Sequence, residues 1–348
     1  MPSINHLGLY RDLFTAAERY FDATPWESLA AELPICVDNP RTGERSLCVG
    51  MGGSGIVRGL AIYVGKAGQS AYDRTIEYSG SFSGLDDEVH PSWSLYSQHA
   101  LKLEFVNADE KTEFTKQLHK ELGLRFRGRM RHPQPEWFAG GFWPINNLDE
   151  EQILHLTECL DIVANVARRP IEEIDKIYEY VEADSGDYVF QLKEGQWSAH
   201  ELPRLEVGRW EVLPIPKLPP TILPKSLWQE EGLTLAVLAV PMNSPVADPK
   251  DPSPYFPILF LAVNTENGLI VNQQIFSPNS LQDELGEWLV EVVRSNAPLG
   301  KFIACSDEPT EYLLSGFANR YGIEVKAFPD HEGFQQLLHE LGGMMPGI

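Results

Sequence analysis

Twelve of the 26 prolines in this chain fall between Pro203 and Pro257, in runs such as LPIPKLPP and DPKDPSP. Proline has no amide hydrogen and a fixed φ, so neither a helix interior nor a central strand runs through such a stretch. A chain of 348 residues is also too long for one ordinary core. The expectation is therefore an N-terminal domain over 1–205, a proline-rich connection over 206–230 and a C-terminal domain over 231–348.

The C-terminal part carries the cleaner pattern. Leu233 to Val240, Ile258 to Asn264 and Leu269 to Phe276 read as strands, the last two joined by Thr265-Glu266-Asn267-Gly268, whose Asn-Gly is a hairpin signal. A helix from Leu281 to Ser295, a strand Phe302 to Cys305, a helix Pro309 to Tyr321, a strand Glu324 to Phe328 and a helix Glu332 to Leu341 follow. The order βββαβαβα predicts an α/β sheet of mixed direction.

The N-terminal part reads as an α+β domain with hairpins. Leu7, Leu9, Tyr10, Leu13, Phe14, Ala17 and Tyr20 recur at helical spacing, and Thr24-Pro25 opens a second helix to about Leu33. Ile35 to Asp38, Ser46 to Met51 and Val57 to Val64 are predicted strands, with a helix over Ala67 to Tyr78 and a surface loop over Ser79 to Ser94. A strand Leu101 to Val106 and a helix Asp109 to Leu122 follow, and Gly123 stops the helix. The segment Pro133 to Asn147 reads as aromatic and turn-rich, presenting Trp137, Phe138, Phe142 and Trp143 as exposed rings. Asn147 or Asp149 caps a helix to about Arg169; a helix Ile171 to Val181 and a hairpin over Tyr188 to Leu202 complete the part.

Composition narrows the function classes. The hydrophobic share of 43 % and charged share of 22 % are globular values. The net charge of −22 argues against a protein that coats nucleic acid or an anionic membrane. No apolar run reaches the length of a membrane span, and the start MPSINHLGLYRDLF has no basic and apolar leader pattern. The four cysteines are scattered, so a cytoplasmic protein with reduced, structural thiols is the expectation.

Four constellations carry potential chemistry. The run Ser46 to Gly65, SLCVGMGGSGIVRGLAIYVG, offers a phosphate-cradle reading through GMGGSG, but it lacks a P-loop Lys-Ser/Thr and the GxGxxG spacing. Its β-branched sequel makes a poor helix, so two strands around a Gly-rich turn are favoured. Arg125, Arg127, Arg129 and Arg131 recur at period two, which in a strand places all four on one face. Such a row suits phosphate or carboxylate; its plainer reading is a solvated strand face answered by neighbouring carboxylates. The nine histidines show no HExxH and no metal-ligand spacing, and no nucleophile motif is present. Asp307-Glu308 follows a buried strand, where ligands bind in open α/β sheets; the plainer reading makes Ser306 or Asp307 a helix cap.

Three resemblances stand on these residues. The GMGGS segment is similar to one found in sugar isomerase domains. The runs YFDATPWESL, DNPRTGERSLCVGMGGSGIVRGLAIYVGKAG, ELGLRFRGRMRHP and GGFWPINNLDEEQ resemble a bacterial family of domains of unknown function, over most of 5–170 and more weakly over 255–342. That resemblance implies a larger N-terminal module before a smaller α/β one, a variable Gly-rich turn beside a constant GLAIYVG, and no activity; GGFWP stands where a Pro-Gly-aromatic start is expected. The C-terminal order also looks like the ribonuclease H-like fold. This implies a two-metal site in which Asp307 matches the fourth-strand acid and Asp283 or Glu284 the helix acid. TLAVLAV supplies no first-strand acid, so any such catalysis is expected to be lost.

The leading expectation is a non-catalytic binding protein without cofactor or metal, with a protein partner docking on the surface around Trp143. The alternatives are a metal-dependent phosphodiester hydrolase using Asp307 with Asp283 or Glu284, and a binder of a small anion or nucleotide at the glycine turn or the arginines.

Overall fold

A computed structural model of the chain describes residues 6–29, 34–53, 55–81, 93–182, 186–248, 251–329, 331–334 and 336–337. In chain order its elements begin with α1 (Leu7–Ala23), α2 (Pro25–Ser28), β1 (Ile35–Asp38), β2 (Arg45–Met51), β3 (Gly59–Val64) and α3 (Gly65–Ser81). Next come α4 (Trp93–Tyr96), β4 (Ala100–Val106), α5 (Glu113–Leu122), β5 (His132–Phe138), α6 (Glu150–Ala167) and α7 (Ile171–Glu182). The hairpin β6 (Asp187–Lys193) and β7 (Gln196–Leu202) precedes a largely irregular stretch. After it lie β8 (Trp228–Pro241), β9 (Val246–Asp248), β10 (Asp251–Tyr255), β11 (Ile258–Asn264) and β12 (Ile270–Phe276). The last described elements are α8 (Pro278–Asn296), β13 (Leu299–Cys305), α9 (Glu308–Tyr321) and β14 (Glu324–Ala327). The α+β character of the chain, in two parts, is thus observed.

The chain divides into two compact units that interleave in sequence. Unit 1 comprises 1–76, 99–139 and 144–209; unit 2 comprises 77–98, 140–143 and 210–348.

Unit 1 is a seven-stranded sheet of order β5-β4-β3-β2-β1-β6-β7, antiparallel throughout except where β6 joins β1 in parallel. The helical stripe of α1 buries Tyr10, Leu13, Phe14, Ala17 and Tyr20 together with Leu156, Leu160 and Val163 of α6 and Leu60, Ile62, Leu101 and Leu103 of the sheet. Asp149 starts α6 through a capping box with Gln152, which satisfies otherwise orphaned amides. Gly59 is required where β3 begins, because a Cβ there would stand 2.1 Å from the Leu103 carbonyl oxygen.

Unit 2 holds a five-stranded sheet of order β12-β11-β8-β13-β14; β12, β11 and β8 pair antiparallel, while β13 and β14 run parallel to β8. The side chains of β8 alternate. Leu235, Val237 and Ala239 face a core with Trp288 and Leu289 of α8 and Leu313 and Phe317 of α9; Ala236 and Leu238 face the opposite side with Leu261, Val263 and Ala304. A small hairpin of β9 and β10 accompanies this sheet.

Several expectations are corrected. The segment expected to be turn-rich from Pro133 contains β5, an edge strand. Trp137 exchanges both backbone bonds with Ile145, away from β4, so Pro133 and Pro135, of the same parity, place their missing amide hydrogens on that outer side. Of the four aromatic residues expected to be exposed there, only Trp143 is, at 50 %. Trp137 packs on His99, Phe138 lies under the Lys102 ammonium, and Phe142 bridges to Tyr255, so all three are half-buried. The arginine run is not a strand: residues 124–131 form an irregular connection between α5 and β5. α2 stops at Ser28, and Thr24 at its start makes no side-chain cap bond to the backbone. α5 begins at Glu113 behind a Thr112 cap, four residues later than expected. The end of DPKDPSP, Asp251 to Pro254, lies in β10 instead of an irregular connection. Most of the loop expected over Ser79 to Ser94 and the end of the helix expected to Leu341 lie outside the described residues.

Candidate functional site

β2 ends at Met51 where it pairs with Gly59, the first residue of β3; Gly59 pairs with Glu104, near the end of β4; and Val106 pairs with His132, the first residue of β5. The antiparallel register therefore gathers two connections at one end of unit 1's sheet: the Gly-rich turn between β2 and β3, and the arginine connection that enters β5. The hairpin expected over Ser46 to Gly65 is present, and its turn shares this end with the arginines.

The turn is held from beneath. Gly52 has φ of 146°, and a Cβ on it would meet Trp26 at 2.7 Å, so the backbone lies directly on the indole. Gly55 donates its amide to the Gly52 carbonyl at 2.9 Å. The guanidinium of Arg58 sits 5.4 Å from the Trp26 ring centre, and the Arg58 carbonyl accepts the Phe105 amide at 2.8 Å. Nε of Arg58 is buried and has no hydrogen-bond partner among the described residues. Ile56 and Val57 beside it are exposed.

The arginine connection alternates only at its start. Leu124 and Phe126 turn inward, and Phe126 packs against Phe14 and His119, while Arg125 and Arg127 face solvent. Gly128 at φ 110° and Met130 at φ 50° then break the extended path, which is why no strand forms. The Met130 amide bonds the Asn107 side chain just beyond β4 and fastens the loop to this end of the sheet. All four arginines are exposed. Arg131 stacks on Phe21 at 4.1 Å and lies 3.7 Å from Asp22. Phe21 in turn meets Trp26 at 5.3 Å, so an aromatic bridge connects the two arginine-bearing connections. Arg125, Arg127 and Arg129 have no ion-pair, hydrogen-bond or ring partner among the described residues. Neighbouring carboxylates thus answer one of the four arginines. Next to Arg131, the His132 ring is 7 % exposed and its Nδ1 has no hydrogen-bond partner among the described residues; burial, assisted by Lys111, holds the ring below the ordinary histidine range.

A family model described as a domain of unknown function (DUF7309) matches residues 10–188, more than half of the chain. The chain belongs to this family. A second model, also a domain of unknown function (DUF6930), matches residues 224–342, so the two-module organisation is found. No curated protein and no solved structure matches the chain.

The arginine site lies within the DUF7309 match; the carboxylates considered for catalysis lie within the second match. Asp307 is 4 % exposed and serves as the cap of α9, accepting from the Thr310 amide at 3.0 Å and from its hydroxyl. Its other oxygen accepts from the Trp93 indole at 3.0 Å. Burial pushes this carboxyl up, and the Thr310 and Trp93 bonds pull it back in part. Asp283 is exposed and takes the Lys217 ammonium at 2.7 Å, and Glu284 faces solvent. Among the described residues no three His, Cys, Asp or Glu side chains are placed to hold a metal ion.

One pair that the sequence did not signal also resembles nucleophile chemistry. Ser46 Oγ lies 2.8 Å from His155 Nε2, and Cys159 is 3.7 Å from the same nitrogen. Ser46, His155 and Cys159 are 0 %, 2 % and 0 % exposed, which bars substrate, and burial lowers His155 to about 4. The pair satisfies buried polar groups of the core. All four cysteines are buried and free.

Proposed function

We propose that this is a non-catalytic binding protein of the cytoplasm, and that the end of unit 1's sheet that gathers the glycine turn and the arginines takes a small phosphate- or carboxylate-bearing ligand. One observation carries the reading: in a chain of net charge −22, Arg125, Arg127 and Arg129 stand exposed, unpaired among the described residues, at the same sheet end as the Gly-rich turn. Guanidinium forks match phosphate and carboxylate oxygens in pairs, and a glycine turn lets an anion approach the backbone. Arg58, braced on Trp26, and Arg131, braced on Phe21, sit in pre-set positions, which reduces the entropy lost on binding. The four free, buried thiols support the cytoplasmic assignment.

The test is calorimetric titration of inorganic pyrophosphate into the wild type and into the triple variant Arg125→Ala, Arg127→Ala, Arg129→Ala, at low and high salt. Saturable binding that weakens with salt and drops at least tenfold in the triple variant supports the site. Equal heats from both proteins overturn it.

The hydrolase reading has support from the sheet order and strand directions of unit 2, which agree with a ribonuclease H-like arrangement. Its catalytic part has less support, since Asp307 is engaged by Thr310 and Trp93, and Asp283 by Lys217. Manganese titration of the wild type and of Asp307→Asn separates the two: tight binding lost in the variant favours a hydrolase, and weak, equal binding removes it. For Trp143, which donates its amide to Pro254 and packs on Phe256, the partner-surface reading predicts fewer captured proteins with Trp143→Ala.

A further inference from the structure

A cavity whose described lining belongs to unit 2 owes nothing to the arginines. On the face of the sheet turned away from α8 and α9, Val263 of β11 pairs with Ala236 of β8, and Ala236 with Ala304 of β13. Two alanines side by side in one cross-strand row leave the sheet surface hollow there, because neither fills the space that the next row fills with Leu238 and Leu261. Phe302, Phe328 and Phe334 stand around the hollow, with Phe302 and Phe328 edge to face at 5.8 Å. The result is a cavity of about 560 Å³.

Its chemistry is one-sided. The described lining residues are apolar or neutral polar, and none is Asp, Glu, Lys or Arg. Thr234, Asn264, Thr265 and Gly268 supply hydrogen-bonding groups at one end, where the β11–β12 turn folds over the middle of β8; His331 and Gln336 add polar groups on the side of Phe334. That end is fixed: the Thr265 hydroxyl donates to the Thr234 carbonyl at 2.9 Å, and the Glu266 amide bonds the Asn264 side chain at 2.8 Å. An ion entering such a lining would lose its hydration with no opposite charge in return, whereas an apolar body gains by leaving water.

We propose that this cavity binds a neutral small molecule with a predominantly apolar body and one hydrogen-bonding end. The body lies over Ala236 and Ala304 between the phenylalanines, and the polar end lies toward Thr234 and Asn264. The volume falls within the range of small-molecule sites, roughly 300–1,000 Å³, and the aromatic walls suit a flat ring system or a short acyl chain.

The probe for the test is N-phenyl-1-naphthylamine, neutral and fluorescent in apolar surroundings, titrated into the full chain. The variants are Ala304→Phe, which fills the hollow from β13, and Ala236→Leu, a smaller filling from β8. The expected result is one saturable site in the wild type, insensitive to salt, with affinity at least tenfold weaker in whichever variant keeps the wild-type unfolding temperature. Absence of saturation in the wild type overturns the proposal, and so does unchanged affinity in a folded, filled variant. Competition by pyrophosphate would overturn it as well, because that would place the probe at the cationic site of unit 1.

Discussion

Burial acts on different ionisable groups in the two units. In unit 1 it falls on histidine: His99, His119, His132 and His155 are all held below the ordinary range, His119 and His155 to about 4. In unit 2 it falls on a carboxyl, and Asp307 is held above its ordinary range. A buried neutral histidine must take up a proton to be charged and resists doing so, whereas a buried carboxyl keeps its proton more readily. The buried histidines of unit 1 and Asp307 of unit 2 therefore respond to acid in opposite directions, although they share one chain and one solvent.

The largest effect tests that contrast. An unfolded histidine titrates near 6.5, so between 6.5 and about 4 the unfolded state of unit 1 binds protons that the folded state refuses. Stability of unit 1 falls as pH falls through that window, by up to about 3 kcal/mol for each of His119 and His155. Glu136, raised by burial, works against this trend. Asp307 has the reverse sign: its folded value lies above the unfolded one, so its contribution is present at low pH and lost as pH rises through the folded value. Hydrogen exchange followed from neutral pH to pH near 4 should show the amides of β2 and β3 losing protection before those of β8 and β11. Simultaneous loss in both sheets would break the contrast.

Next in size is Gly59→Ala in unit 1. Its Cβ would stand 2.1 Å from the Leu103 carbonyl oxygen, a backbone atom that moves only with β4 itself. A cost of about 3 kcal/mol is expected from overpacking, read as a lower denaturant midpoint, against no change for Gly53→Ala, whose Cβ meets nothing within 4 Å. The counterpart in unit 2 is Asp307→Ala. It removes the cap of α9 and strands the Trp93 indole donor, for an expected loss of about 2–3 kcal/mol. The indole fluorescence of Trp93 should change with it.

How far these features were legible in the sequence follows from the range over which their causes act. Local causes were readable: the cap of α6 at Asn147 or Asp149, the Asn267-Gly268 turn and the alternation of β4 are each written within a few residues. The order of the five strands of unit 2's larger sheet and of α8 and α9 was readable for the same reason, whereas the β9–β10 hairpin was not. The strand β5 was not, because Pro133 and Pro135 oppose it locally and are tolerated only at a sheet edge that the sequence does not reveal. The arginine row was visible as a row, but Gly128 and Met130 turn the chain, and only the pairing of β2 to β5 brings the row to the sheet end that carries the glycine turn. The alanine hollow of unit 2 lay beyond reach altogether, since Ala236 and Ala304 become neighbours through a parallel pairing between distant strands.

The smallest expected effect separates arginines that differ only in their neighbours. Arg131 lies over Phe21 and beside Asp22, whereas Arg127 faces solvent without a partner among the described residues. Arg131→Ala is expected to lower stability by about 0.5–1 kcal/mol, the usual size of an exposed cation–π contact. Arg127→Ala should leave stability within about 0.5 kcal/mol of the wild type, as for a surface residue without contacts. Thermal unfolding of the two variants reads the difference. Pyrophosphate affinity should separate them less, because both guanidinium groups stand at the same sheet end. A partnerless arginine whose removal costs no stability but weakens an anion is held there by binding alone. Equal stability losses in the two variants would return Arg127 to the structural role that its neighbour already fills.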